Sequence, residues 1–214
     1  MYRYQAQSIQ GFVQQLAVAY LPHGYWFYVT GQVPAGKNPE LVDRKLLSKY
    51  GIAISKWGRA RRKKGGLSNV HYLRFDRFFV LMATRGQHPF FQEEPEFRDI
   101  REKPLKFAGY SISFRKGVDG KGHPSVRIHP DEYRKLRASL VGLAVHRSAE
   151  NLSAVFHAIP FEPYAPVRRQ LLNLLRAVNR ERKAAGFEPV PTSALRLSRK
   201  GVKPFGEESL KEAA

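Results

Sequence analysis

The chain has 214 residues and no cysteine, which excludes disulfides, thiolate metal sites, iron–sulfur clusters and thiol catalysis. Its 37 lysines and arginines stand against 18 acids, a formal charge of +19, and 43% of its residues are apolar, enough for a packed core rather than wholesale disorder. The charge points to a polyanion as partner without naming a reaction.

The first predicted element is an amphipathic helix, with Ile9, Phe12, Val13, Leu16, Ala17 and Tyr20 on one stripe and Pro22 and Gly24 at its end. Tyr25 to Val33 reads as a strand that is apolar on both faces, as a central strand is. A helix follows with Asn38 as its cap and Pro39 at its first position, running to Tyr50 and Gly51. Residues 56–66, KWGRARRKKGG, read as a loop or short helix of high positive charge. Two strands are expected over 69–76 and 77–85, the second again apolar on both faces. A Pro-punctuated acidic connection leads to one strand over 107–114, a loop at 118–123 and a short strand from Ser125 to Ile128. Pro130 opens another helix, Ser148 caps a short one, and Pro166 opens the strongest, which ends near Gly186.

This order is α+β. Its βαββ half suits a ferredoxin-like antiparallel sheet with the first and third strands central, plus additional strands, an N-terminal helix and a C-terminal helical part. The expected organisation is an α+β domain over 1–147, a helical extension packed on it over 148–188, and a basic flexible tail over 189–214.

Two basic features carry the functional reading. The first is Lys56, Arg59, Arg61, Arg62, Lys63 and Lys64, with Trp57 among them. A basic arm gathers phosphate contacts, and Trp57 either stacks on a base or packs beneath the segment. The second lies on the helix after Pro166. Val167, Leu171, Leu174, Leu175 and Val178 make its core face, while Arg169, Arg176, Arg180 and Lys183 project opposite as a ladder that can meet phosphates. Glu181 is the one acid within 164–185, whereas a purely solubilising face usually mixes signs. Both elements are expected to serve one continuous surface. Aromatics on the two central strands, Tyr25, Trp26, Phe27, Tyr28, Phe78 and Phe79, raise a further possibility of a base-stacking platform, although the RNA-recognition consensus fails at Arg77-Phe78-Phe79.

Catalytic signatures are weaker. Gly31 to Asn38 misses a phosphate-binding P-loop, since Asn38 stands where a hydroxyl is needed and Pro34 removes a backbone donor. His23 to Thr30 is loosely similar to the first strand of small single-strand transposases, but their histidine pair is missing and Gln87-His88-Pro89 is the nearest equivalent. In that reading Tyr133, with Lys135 nearby, is the nucleophile. Glu93, Glu94, Glu96, Asp99 and Glu102 either hold a magnesium ion or pair with arginines. No histidine pair has metal-ligand spacing on one element, so neither a metal nor a cofactor is expected.

The expectation is a nucleic-acid-binding protein, for DNA or RNA, with no membrane partner. The longest apolar run, Phe78 to Ala83, is far short of the roughly 20 residues of a spanning helix. The first fifteen residues do not read as a secretory signal, so the cytoplasm is the expected location. The alternatives are a DNA-processing enzyme, as a single-strand nuclease or strand transferase, and a structural protein of a nucleoprotein complex.

Overall fold

Asn38 accepts a hydrogen bond from the Glu40 amide and Pro39 takes the first turn, so helix α2 (Pro39–Lys49) starts where its capping chemistry requires. The same logic starts α1 (Ile9–Gln14) at Ser8, α3 (Lys56–Lys64) at Ser55 and α6 (Ala149–His157) at Ser148, each serine accepting from an amide three residues on. This computed structural model describes residues 2–205. The remaining helices are α4 (Phe90–Glu93), α5 (Pro130–Leu143) and α7 (Ala165–Ala184). The strands are β1 (Phe27–Gln32), β2 (Val70–Phe75), β3 (Phe78–Ala83), β4 (Arg98–Asp99), β5 (Leu105–Phe107), β6 (Tyr110–Lys116) and β7 (Gly122–Ile128). The fold is α+β with two antiparallel sheets, ordered β2-β3-β1-β4 and β5-β6-β7.

The chain forms two compact units that interleave in sequence. Among the described residues the first holds 2–104, 113–124 and 202–205, and the second 105–112 and 125–201. Strands β6 and β7 contribute to both. Among the described residues no helix is long and apolar enough to cross a membrane.

In the first unit β1 and β3 are the central strands, which explains why both are apolar on both faces. Register puts Phe27 and Val29 of β1, Leu81 and Ala83 of β3, and Val70 and Tyr72 of β2 on one face. That face packs with Tyr50, Ile52 and Phe90. The opposite face meets the first helix, where Phe12 packs edge-on to Phe78. The expected amphipathic helix over 9–20 changes form midway: α1 passes into a π-helix over Gln15–Tyr20 and a 3-10 turn over Leu21–His23, which stops at Gly24 (φ 89°). Phe12, Val13, Leu16, Ala17 and Tyr20 are buried and Ile9 is exposed, so the apolar stripe holds beyond its first residue, but the widened turn is not legible in a 3.6-residue period.

The edge of β2 is covered by the N-terminal segment, Arg74 accepting from the Ala6 amide and donating its own to Tyr4. Beneath it lies a buried ion pair that the sequence did not announce. Arg74 Nε and Nη2 donate to the two carboxylate oxygens of Asp43 at 2.8 Å, and the Tyr72 hydroxyl donates to Asp43 Oδ1 at 2.5 Å.

The single strand expected over 107–114 is a hairpin, because Ala108 and Gly109 both take positive φ (46° and 78°) and reverse the chain between β5 and β6. The three-residue step from Phe107 to Tyr110, which breaks the alternation, is its trace in the sequence. Val167, Leu171, Leu174, Leu175 and Val178 of α7 are buried as expected. So is Arg182, whose guanidinium donates to the carbonyls of Ala144, Arg147 and Glu188.

Of the stretch read as a flexible tail, the described part carries defined contacts. Val190 exchanges two hydrogen bonds with Asn179, Arg196 donates to the Ile159 carbonyl, and Val202 and Gln14 bond each other through the Gln14 amide. Residues 206–214 lie outside the described residues.

Candidate nucleic-acid interface

The basic segment 56–64 is a helix rather than a loop. Ser55 caps it, Arg61 to Lys64 sit in its last turn where cations meet the negative end of the helix dipole, and Gly65 and Gly66 (φ 73°) end it. None of its residues is fully buried. Its attachment to the unit is polar: Arg59 donates through Nη2 to the Ile52 carbonyl at 3.1 Å, and Asn69 donates through Nδ2 to the Arg59 carbonyl at 3.0 Å.

The helical turn sorts the cluster into three directions. Lys56, Arg59 and Lys63, with Ala60, line a cavity of about 320 Å³. Trp57, Arg61 and Lys64 lie on the solvent side, Trp57 being 81% exposed. Arg62 lines a separate, wider groove of about 610 Å³ with Gly86, Gln87 and His88. Trp57 is therefore no part of the core. The six cations of α3 have no acid among them, and none forms an ion pair among the described residues. Like charges at helical spacing repel by a few tenths of a kcal/mol per pair.

The opposite wall of the cavity comes from elements the basic motif does not include. His23 and Tyr25 stand at the end of the first helical segment, and Asn69, His71 and Thr84 at the paired ends of β2 and β3. His71 is stacked on Tyr20 (4.4 Å, planes 7° apart) and Tyr2 (5.7 Å, 12°), and its Nδ1 shares a hydrogen bond with the Tyr2 hydroxyl. Burial, aided by the charges of Arg59 and His23, pushes its imidazole down to about 3, so the ring is neutral at pH 7. Sequence reading missed His71 and Asn69 as site residues. Their signal was slight: two polar residues two apart on an otherwise apolar strand start.

The arginine ladder of α7 belongs to the second unit. Arg169, Arg176, Arg180 and Lys183 are all exposed on the face opposite the buried stripe. Arg180 pairs with Glu181 at 3.3 Å and Arg176 donates to Asn173, leaving Arg169 and Lys183 without partners among the described residues.

The other candidates resolve into structure. Tyr25 and Tyr28 are buried, and Phe27 is enclosed by Phe91 and Phe97, Phe79 by Tyr72, and Trp26 by Phe114 and Arg101. The central strands present no open stacking platform. Both nitrogens of His88 are engaged: Nδ1 accepts from the Phe90 amide at 3.0 Å, so Nε2 carries the proton and donates to the Tyr50 carbonyl at 3.2 Å. No lone pair remains for a metal. Glu93 pairs with Lys49, Glu94 accepts from Tyr50, and Asp99 pairs with Arg101. Among the described residues no three His, Asp or Glu side chains stand where they could hold a metal ion. The P-loop-like turn is closed by Arg77, which donates to the Val33 and Pro34 carbonyls. Tyr133 is half-buried on α5.

Comparison with family models, with curated proteins and with solved structures finds no match to this chain.

Proposed function

We propose that the protein binds nucleic acid in the cytoplasm, with α3 as the principal contact and the α7 ladder as a second phosphate-binding element. The observation that carries the reading is α3 itself: six cations and an exposed tryptophan on nine residues, with no acid to balance them. Lysine and arginine chains on a helix meet phosphates, and an exposed indole stacks on an unpaired base, so the combination favours a single strand over a duplex. A partner protein of acidic surface would use the cations and not require the indole.

The sheet order supports a ferredoxin-like arrangement for the first unit, since β4-β1-β3-β2 is antiparallel throughout with β1 and β3 inside. The departures are a second connection reduced to the single turn of α4 and a β4 of two residues. In this protein the sheet serves as the platform that holds α3, not as the binding face.

Gel shifts with single-stranded DNA, duplex DNA and RNA at rising salt test the reading. Binding that falls steeply with salt is expected, because each phosphate contact releases counterions. Affinity that does not change with salt overturns it.

A further inference from the structure

We propose that the cavity behind α3 takes one nucleotide of a bound strand, its base turned in edge-first towards Asn69 and His71 and its flanking phosphates held by Lys56 and Lys63. This rests on nucleic-acid binding by α3 and names what the inner face of that helix is for.

The cavity, about 320 Å³, falls in the size range of small-ligand sites. Two residues that line it, Arg59 and Asn69, carry buried polar atoms without partners among the described residues. Asn69 is 3% exposed, and its Nδ2 donates to the Arg59 carbonyl. That bond fixes the amide orientation and leaves Oδ1 as a buried acceptor with no partner among the described residues. Arg59 Nε is a buried donor in the same condition. Buried polar groups are nearly always paired, so an acceptor and a donor left over in residues lining one cavity point to a ligand that supplies both. The edge of a nucleobase does so. His71 adds a third group. Already stacked on Tyr20 and Tyr2, it offers the cavity its edge, and Nε2 has no partner among the described residues. Its ring stays neutral beside Arg59, so one ring nitrogen can donate and the other accept.

The rim selects a strand over a free mononucleotide. Lys56 and Lys63 stand two helical turns apart, about 10 Å along α3. A nucleotide within a strand brings a phosphate on each side of its base, whereas a free mononucleotide brings one. Trp57, one residue on from Lys56 and facing solvent, is placed for a neighbouring base that stays outside.

A ten-residue single strand of 5-iodouridine, photocrosslinked to the full chain and mapped by mass spectrometry, tests this. Adducts on His71 or Tyr25 are expected. Ala60→Trp, which fills the cavity and keeps every cation, is expected to remove them and to weaken binding of the unmodified strand at least tenfold with an unchanged salt slope. Adducts confined to Trp57, or an Ala60→Trp variant that binds as tightly as the native chain, overturn the cavity proposal and leave binding by α3 standing. Should Ala60→Trp not fold, the mapping on the native chain decides alone. Failure to bind any strand overturns both readings. Adenosine monophosphate tested by calorimetry separates the sources: binding as tight as that of the strand overturns the two-phosphate assignment.

Discussion

Asn69 donates its side-chain amide to the carbonyl of Arg59 and so ties the basic helix to the first residues of β2. With no fully buried residue of its own, α3 depends on this bond and on the one from Arg59 to Ile52. A helix so attached and so charged opens locally before the sheet does. Backbone amides of 59–64 are expected to exchange with solvent well before those of β1 and β3, and an added oligonucleotide to slow them. Asn69→Ala is expected to speed that exchange further, at a global cost of about 1 kcal/mol. Equal protection across α3 and β3 in hydrogen exchange would contradict this.

Trp57 is the second test. At 81% exposure it supports no core, so Trp57→Ala should change unfolding free energy by no more than about 0.5 kcal/mol. The same change should weaken single-strand binding by about 1–3 kcal/mol if the indole stacks on a base. Denaturant melts and a binding titration of one preparation read both quantities.

The neutral His71 predicts a pH dependence of stability. Its folded-state value, lowered to about 3 by burial and then by Arg59 and His23, lies below the ordinary 6.5. The unfolded chain therefore takes up a proton between those values and the folded chain does not. The stability that neutral His71 contributes is present above 6.5 and is lost as the pH falls towards 3. At pH 5 the loss amounts to about 2 kcal/mol. His88, lowered chiefly by burial, adds in the same direction. Chemical denaturation at pH 5 and pH 7 should show the difference, and His71→Phe should shrink it.

Asp43 and Arg74 form their ion pair almost wholly inside the first unit, at 0% and 4% exposure. Asp43→Asn keeps the shape and removes the charge that Arg74 needs, so a loss of about 3–5 kcal/mol is expected. A change below about 1 kcal/mol in urea unfolding would show that Arg74 finds another partner.

The two basic helices give the last prediction. Neutralising Arg61, Arg62, Lys63 and Lys64 should lower affinity for all base sequences and flatten the salt dependence by about one unit of slope for each phosphate contact removed. Replacing Arg169, Arg176 and Arg180 by glutamine should act in the same direction on the same strand. If the α7 variant folds and binds with unchanged affinity and slope, α3 alone carries the interface.

The sequence by itself determined what depends on near neighbours. Asn38 with Pro39, Ser148 and Pro166 start helices where their capping chemistry acts within a few residues, and the buried stripe of α7 follows from its period. The apolar faces of β1 and β3 marked them as central, and the charge of 56–64 was plain from composition. Only the tertiary structure decided what depends on distant parts of the chain meeting. It set Lys56, Arg59 and Lys63 along one cavity and Trp57 on the solvent side, because Asn69 and Ile52 fix the rotation of α3. It filled both nitrogens of His88 from Tyr50 and Phe90, and so ended its reading as a ligand. It also brought Tyr2 and Tyr20 against His71, which no local pattern announces, since a ring's neutrality is set by the groups that surround it in space and not by those beside it in the chain.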